Sequence, residues 1–178
     1  MFYFIRHGKT DYSERNTKIY QGFGVNLAPL GKSGISEIQN TAKDPRLENT
    51  DVILSSPYTR ALQTAAILSR EIGAEIVVET DLHEWMPNKD YICEEEAAVE
   101  MYLQEYTRFH GVYPAGLERP WETAQHVRRR VLGVLKKYSR YHKVIVACHG
   151  LMIQAVTGKA IPENGEIVEF YTDFSAFD

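Results

Sequence analysis

The sequence predicts an α/β domain, a sheet of short strands flanked by helices, with a cap over one end. Three observations predict it. Short runs rich in Val and Ile alternate with longer stretches of helical periodicity. The alternation runs the length of the chain with no internal repeat, low-complexity tract or Gly/Ser-rich linker. One stretch, from Pro87 to Pro120, breaks the pattern, being rich in Tyr, acidic residues and Arg. A length of 178 residues fits a single domain, 1–178, with that stretch as its cap insertion.

The strands expected are Phe2 to Ile5, Asp51 to Leu54, Glu75 to Val78, Lys143 to Ala147 and Glu166 to Tyr171, most of them rich in β-branched residues. Between the first two, Gly34 to Ala42 reads as a helix. Thr59 to Ile72 is a second helix, with Ala61, Thr64, Ala65 and Leu68 at helical spacing and Gly73 as its stop. Glu94 to Phe109 is a third, inside the cap. Trp121 to Tyr138 is a fourth, preceded by Pro120 and carrying the stripe Val127, Val131, Val134 and Leu135. A short helix begins after Gly150.

Composition narrows the function classes. A hydrophobic share of 44% and 25% charged residues are those of an ordinary soluble protein. A formal net charge of -4 without a basic stripe argues against nucleic acid as a partner. No segment has the apolar length to cross a bilayer, and Met1 to Ile5 is too short for a signal peptide, so a cytoplasmic location is expected. Cys93 and Cys148 are then expected as reduced thiols.

In open α/β sheets, ligands sit at the carboxyl ends of the strands. Those ends here carry Arg6-His7-Gly8, Ser55-Ser56 with Arg60, Glu84 a few residues past the third strand, and His149-Gly150. Two His, two Arg and one Glu facing one crevice suit a phosphate: guanidinium binds phosphoryl oxygens in a planar fork, and imidazole can donate a hydrogen bond or attack.

Rival readings fail on spacing. "LGKSG" at Leu30 to Gly34 has the lysine end of a P-loop, but the glycine required five places before Gly31 is Asn26, and Pro29 interrupts any strand leading in. Cys148 beside His149 does not make a thiol nucleophile, because neighbours on a strand point to opposite faces; Cys148 reads as a small buried hydrophobe. His83, His110, His126 and His142 show no metal-ligand spacing and read as solvated surface histidines. No metal and no cofactor are expected.

"RHGKT", "SSPYTRALQTA" from Ser55, "LHE" at Leu82 to Glu84 and "ACHG" at Ala147 to Gly150 follow one another in the order and at roughly the spacing of the histidine phosphatase superfamily, also called the phosphoglycerate mutase-like family. The resemblance spans nearly the whole chain, through "QGFGVNLAPLGKSG", "ETAQHVRRRV" and "NGEIVEFY". It implies a three-layer αβα sandwich whose mostly parallel sheet carries one antiparallel edge strand, with a helical cap insertion.

It also implies roles. His7 is the expected nucleophile, forming a phosphohistidine; Arg6, Arg60 and His149 hold the phosphoryl oxygens; Glu84 is the general acid. Gly8, Gly150, Gln21 and Gly22 join them as phosphate or substrate contacts. Elementary chemistry agrees: two guanidinium groups and a donating imidazole neutralise the equatorial charge of phosphoryl transfer, His7 must attack uncharged, and Glu84 must hold a proton beside the leaving oxygen. The sequence departs from the family pattern at Lys9, where Glu or Gln is usual, and at Ser13, where many members carry a phosphate-binding Asn; Ser13 or Asn16 could supply that contact.

The expected activity is metal-independent hydrolysis of small phosphomonoesters, the partner a small phosphorylated metabolite, and the state a monomer or homodimer. The alternatives are a cofactor-dependent phosphoglycerate mutase, which would be an isomerase, and a catalytically silent phospholigand-binding protein. Family mutases are longer than this chain, and Glu94 to Glu96 make the cap acidic. Tyr91, Tyr102, Tyr106, Arg108, His110 and Arg119 are candidate contacts to the leaving group, with Trp85 a wall that dries the site.

Overall fold

The computed structural model describes residues 1–15, 24–92 and 94–174. Asn16, Gln21, Gly22 and Cys93 lie outside the described residues. The strands are β1 (Phe2–Arg6), β2 (Val52–Ser55), β3 (Ile76–Val78), β4 (Val144–Cys148) and β5 (Ile167–Phe170). They form a sheet in the order β3-β2-β4-β1-β5. The β3/β2, β2/β4 and β4/β1 pairs are parallel, and β5 runs antiparallel to β1 at the edge.

The pleat divides the core into two layers. Phe2, Phe4, Val52, Leu54, Val144, Val146 and Cys148 join one apolar cluster with Val127, Val131 and Leu135 of α5 (Ala124–Lys137) and Met152, Ile153 and Val156 of α6 (Gly150–Thr157). Ile5, Ile53, Ile145 and Ala147 point the other way, onto Ile38 of α2 (Lys32–Thr41) and Ala65 and Leu68 of α3 (Thr59–Ile72). β4 is buried along its whole length, which its unbroken run of Val, Ile and Ala requires. Helix ends follow local chemistry: Gly73 and Gly158 adopt φ of 82° and 71° after α3 and α6, and the Thr123 hydroxyl accepts the His126 N–H at 3.2 Å to cap α5.

Between β3 and α5 the chain makes an excursion containing α4 (Glu96–Arg108). Its two ends are drawn together where Lys89 N–H bonds Pro120 O and Glu122 N–H bonds Met86 O, both at 2.9 Å. Tyr106 of α4 packs between Trp85 and Trp121, at 5.2 and 5.5 Å between ring centroids. Among the α-helices of the described residues, α1 (Gly24–Leu27), a single turn too short to show a period, was not expected from the sequence.

Candidate active site

The β1 and β4 ends lie in register, Arg6 opposite Cys148, so the next residues of both strands, His7 and His149, emerge side by side. Their ring centroids are 5.3 Å apart. The His7 backbone is fixed from two sides: its N–H bonds Cys148 O at 2.9 Å, and its C=O accepts Asn164 Nδ2 at 2.7 Å. Gly8 then crosses the first turn of α2, and a Cβ built on it would stand 2.4 Å from Gly34 O. Gly34, the last glycine of "GKSG", thus serves a close backbone crossing: a Cβ on it would stand 2.2 Å from Lys9 O.

The hydrogen bonds of His7 specify its tautomer. Nδ1 lies 2.8 Å from Gly8 O, which can only accept, so Nδ1 carries the proton. Nε2 therefore keeps a lone pair, and Arg60 Nε donates to it at 3.2 Å. Burial first and the Arg60 charge second lower the His7 pKa from 6.5 to about 3. His7 is held as neutral imidazole with its basic nitrogen against a guanidinium.

Arg60 sits in the first turn of α3 and is buried to 3% exposure. Its Nη1 bonds Val25 O of α1 at 2.6 Å, and its guanidinium lies 5.1 Å from the Tyr58 ring centre. His149 Nε2 meets the Ser56 hydroxyl at 2.7 Å, while His149 Nδ1 is buried without a partner among the described residues. Arg6 Nη1 bonds Pro162 O at 2.6 Å, and Arg6 Nε is also buried without a partner among the described residues. A Cβ on Gly150 would stand 3.3 Å from that nitrogen. Two buried unpartnered nitrogens at adjacent strand ends are costly unless a ligand meets them.

Glu84 is turned onto the start of α6. Its carboxylate accepts N–H bonds from Trp85 at 2.8 Å, Met152 at 3.0 Å and Leu151 at 3.3 Å. Burial pushes its pKa up, against the Trp85 N–H and the Arg60 charge, which pull it down.

The structure brings His7, Arg60 and His149 together, with Arg6 and Glu84 on the flanking strand end and helix start. Ser13 is exposed, its N–H bonded to Asp11 Oδ1 at 2.9 Å, and is not among the side chains meeting His7. Tyr106 and Arg119, considered as leaving-group contacts, are otherwise engaged: Tyr106 in its tryptophan stack, Arg119 on Glu105 at 2.8 Å. His83, expected at the surface, is 4% exposed, its ring 6.4 Å from Tyr58 and 6.2 Å from Tyr91. Cys148 is buried in the α5/α6 layer, where burial raises its thiol pKa well above 9.0, as an inert hydrophobe requires. Among the described residues no three His, Cys, Asp or Glu side chains gather as metal ligands, and no helix is long and apolar enough to cross a membrane.

Residues 2–169 match the family model of the histidine phosphatase superfamily, branch 1. The chain belongs to that superfamily. Among its relatives is the phosphatase PhoE of Bacillus subtilis, named as uncharacterized, 28% identical over 155 residues that cover 85% of this chain and 72% of that one. A Hydrogenobacter thermophilus protein provisionally named phosphoserine phosphatase 2 is 27% identical, covering 86% and 75%. The histidine phosphatase fold extends to solved structures. A mycobacterial glucosyl-3-phosphoglycerate phosphatase superposes with a TM-score of 0.66 at 19% identity over 98% of this chain and 92% of that one. A phosphoglycerate mutase from Bacillus anthracis gives 0.66 at 20% identity over 93% and 85%.

Val25 and Asn164 were not expected at the site, Ser56 was expected only at its strand end and without a role, and Arg130 was not expected there. The first three act through a backbone carbonyl, a carboxamide and a hydroxyl that ordinary turns also contain, so composition gives no signal for them.

Proposed function

We propose that this protein is a metal-independent phosphatase that hydrolyses small phosphomonoesters through a phosphohistidine on His7. The observation that carries the reading is the His7 tautomer: Nδ1 spent on Gly8 O, and Nε2 left as a lone pair beside Arg60. Substrate binding draws the Arg60 fork off that lone pair and onto a phosphoryl oxygen. Arg6 Nε and His149 Nδ1, both without a partner among the described residues, take the remaining oxygens. Nε2 attacks phosphorus, the bond to the leaving oxygen breaks, and Glu84 delivers its proton to that oxygen. Glu84, now a carboxylate, takes a proton from water as the water attacks phosphorus; the P–N bond breaks and inorganic phosphate leaves.

Hydrolysis is preferred over phosphoryl exchange because the two relatives matched by sequence are named as phosphatases. The substrate class is a small phosphorylated metabolite, and the protein works as a monomer or homodimer in the cytoplasm.

The test is turnover of 4-nitrophenyl phosphate in excess chelator, followed by quenched-flow trapping. Turnover should persist in chelator, fall at least about 10³-fold in His7→Ala, and pass through an acid-labile, base-stable phosphoryl adduct. Loss of activity in chelator overturns metal independence. An acid-stable adduct, or turnover retained in His7→Ala, overturns the nucleophile.

A further inference from the structure

We propose that Arg130 and Glu122 are positioning residues for the general acid, fixing the segment that carries Glu84 from behind; the proposal rests on the reading of Glu84 as that acid. Arg130 lies in α5, between the buried Val127 and Val131, and Glu122 precedes the Thr123 cap of the same helix. Their side chains are 13% and 9% exposed. All five N–H bonds of the Arg130 fork have acceptors. Nε and one Nη2 hydrogen hold the Glu122 carboxylate, at 2.7 and 3.0 Å; the other Nη2 hydrogen holds Glu84 O at 3.2 Å; Nη1 holds His83 O at 2.9 Å and Asp81 O.

Glu122 completes the clamp. Its Oε2 accepts the Met86 N–H at 3.3 Å, its C=O accepts Trp85 Nε1 at 2.7 Å, and its N–H bonds Met86 O at 2.9 Å. Asp81, His83, Glu84 and Met86 are thus tied through their backbone to one ion pair, and Trp85 through its indole to the Glu122 carbonyl. Such a density of bonds to a loop backbone is what holding one side chain in reacting position requires, because a misplacement of about 1 Å can cost 10²-fold in rate. Lysine keeps the charge but has three donors and no planar fork, so Arg130→Lys cannot reproduce the bonds.

A buried ion pair can also serve stability alone. Leaving-group dependence separates the roles. A nitrophenolate departs readily without a proton, whereas phenolate needs one, so a misplaced acid harms the two esters unequally and a merely weakened fold harms them alike.

The experiment compares kcat/KM for phenyl phosphate and 4-nitrophenyl phosphate in the parent, Arg130→Lys, Glu122→Gln and Glu84→Gln, below each protein's melting temperature. Arg130→Lys should lose about 10- to 100-fold on phenyl phosphate and under about 3-fold on 4-nitrophenyl phosphate, and Glu84→Gln should show the same split more strongly. Glu122→Gln, a milder change, should show the split in smaller measure and gives the answer if Arg130→Lys does not fold. Equal losses on both esters, or none, in the clamp variants while Glu84→Gln keeps its split overturn the positioning role alone. A Glu84→Gln variant without a split removes the acid itself, and this proposal with it.

Discussion

In the proposed mechanism Arg60 and His7 hold one another in a state that is ready but blocked: the guanidinium assigned to phosphate occupies the lone pair assigned to attack it. Neutrality of His7 is secured over nearly the whole pH range, because burial and Arg60 lower its pKa to about 3. Glu84 moves the other way, its pKa raised by burial, so the acid stays protonated above the ordinary carboxyl range. The kcat/KM of the proposed reaction on phenyl phosphate should therefore fall on the acid side only far below pH 6.5, and on the basic side as Glu84 ionises. Glu84→Gln should abolish the basic limb; a limb surviving unchanged in that variant assigns it to another group. Gly8 offers a steric test at the same scale. A methyl there would meet Gly34 O at 2.4 Å, so Gly8→Ala should lower stability by about 1–3 kcal/mol, read by urea unfolding.

Elements carry these residues to one place. α6 presents its first N–H groups to Glu84, α1 exists to offer Val25 O to Arg60, and α5 packs its stripe on the sheet while its Arg130 reaches the Glu84 loop. α5 should depend measurably on its cap: Thr123→Ala removes the acceptor for His126 N–H and should cost about 1 kcal/mol in chemical denaturation. The strands and the helices α2 to α6 were legible because burial writes a period into sequence. α3 runs over the expected residues, its predicted stripe is buried, and the strand ends shift by one residue at most. The strand-end reading also located His7, Arg60, Glu84 and His149, since topology puts the carboxyl ends of parallel strands on one edge. What failed depended on contacts between distant residues. His83 looked like a surface histidine because nothing local shows that Tyr58 and Tyr91 flank it. Arg130 closes the run Arg128-Arg129-Arg130, which by itself reads as the solvated side of a helix; only the loop folded over it reveals three carbonyl acceptors beside the Glu122 carboxylate.

At the scale of the whole molecule, the site imposes a pH dependence on folding. His7, His149 and His83 all have pKa values lowered by burial in the folded chain, and the unfolded chain binds their protons near pH 6.5. As pH falls below 6.5 the unfolded state gains protons that the native state refuses, so each imidazole weakens the fold by about 1.4 kcal/mol per pH unit until its own folded pKa is reached. Glu84 opposes this: with its folded pKa raised, it adds stability at low pH that is lost as pH rises through that value. Three imidazoles outweigh one carboxyl, so the melting temperature should drop steadily between pH 6.5 and 5. Inorganic phosphate should reverse part of the loss, because on the proposed reading an anion between Arg6, Arg60 and His149 binds only the native state and favours a protonated His149. At a hundred times its dissociation constant, phosphate should add about 2.7 kcal/mol, and the slope against pH should flatten. Calorimetric melts of the parent at matched ionic strength, in phosphate and in chloride, read both effects. A melting temperature level across that range, or an identical slope in the two salts, would mean that the buried imidazoles are not the groups on which the fold's acid sensitivity depends.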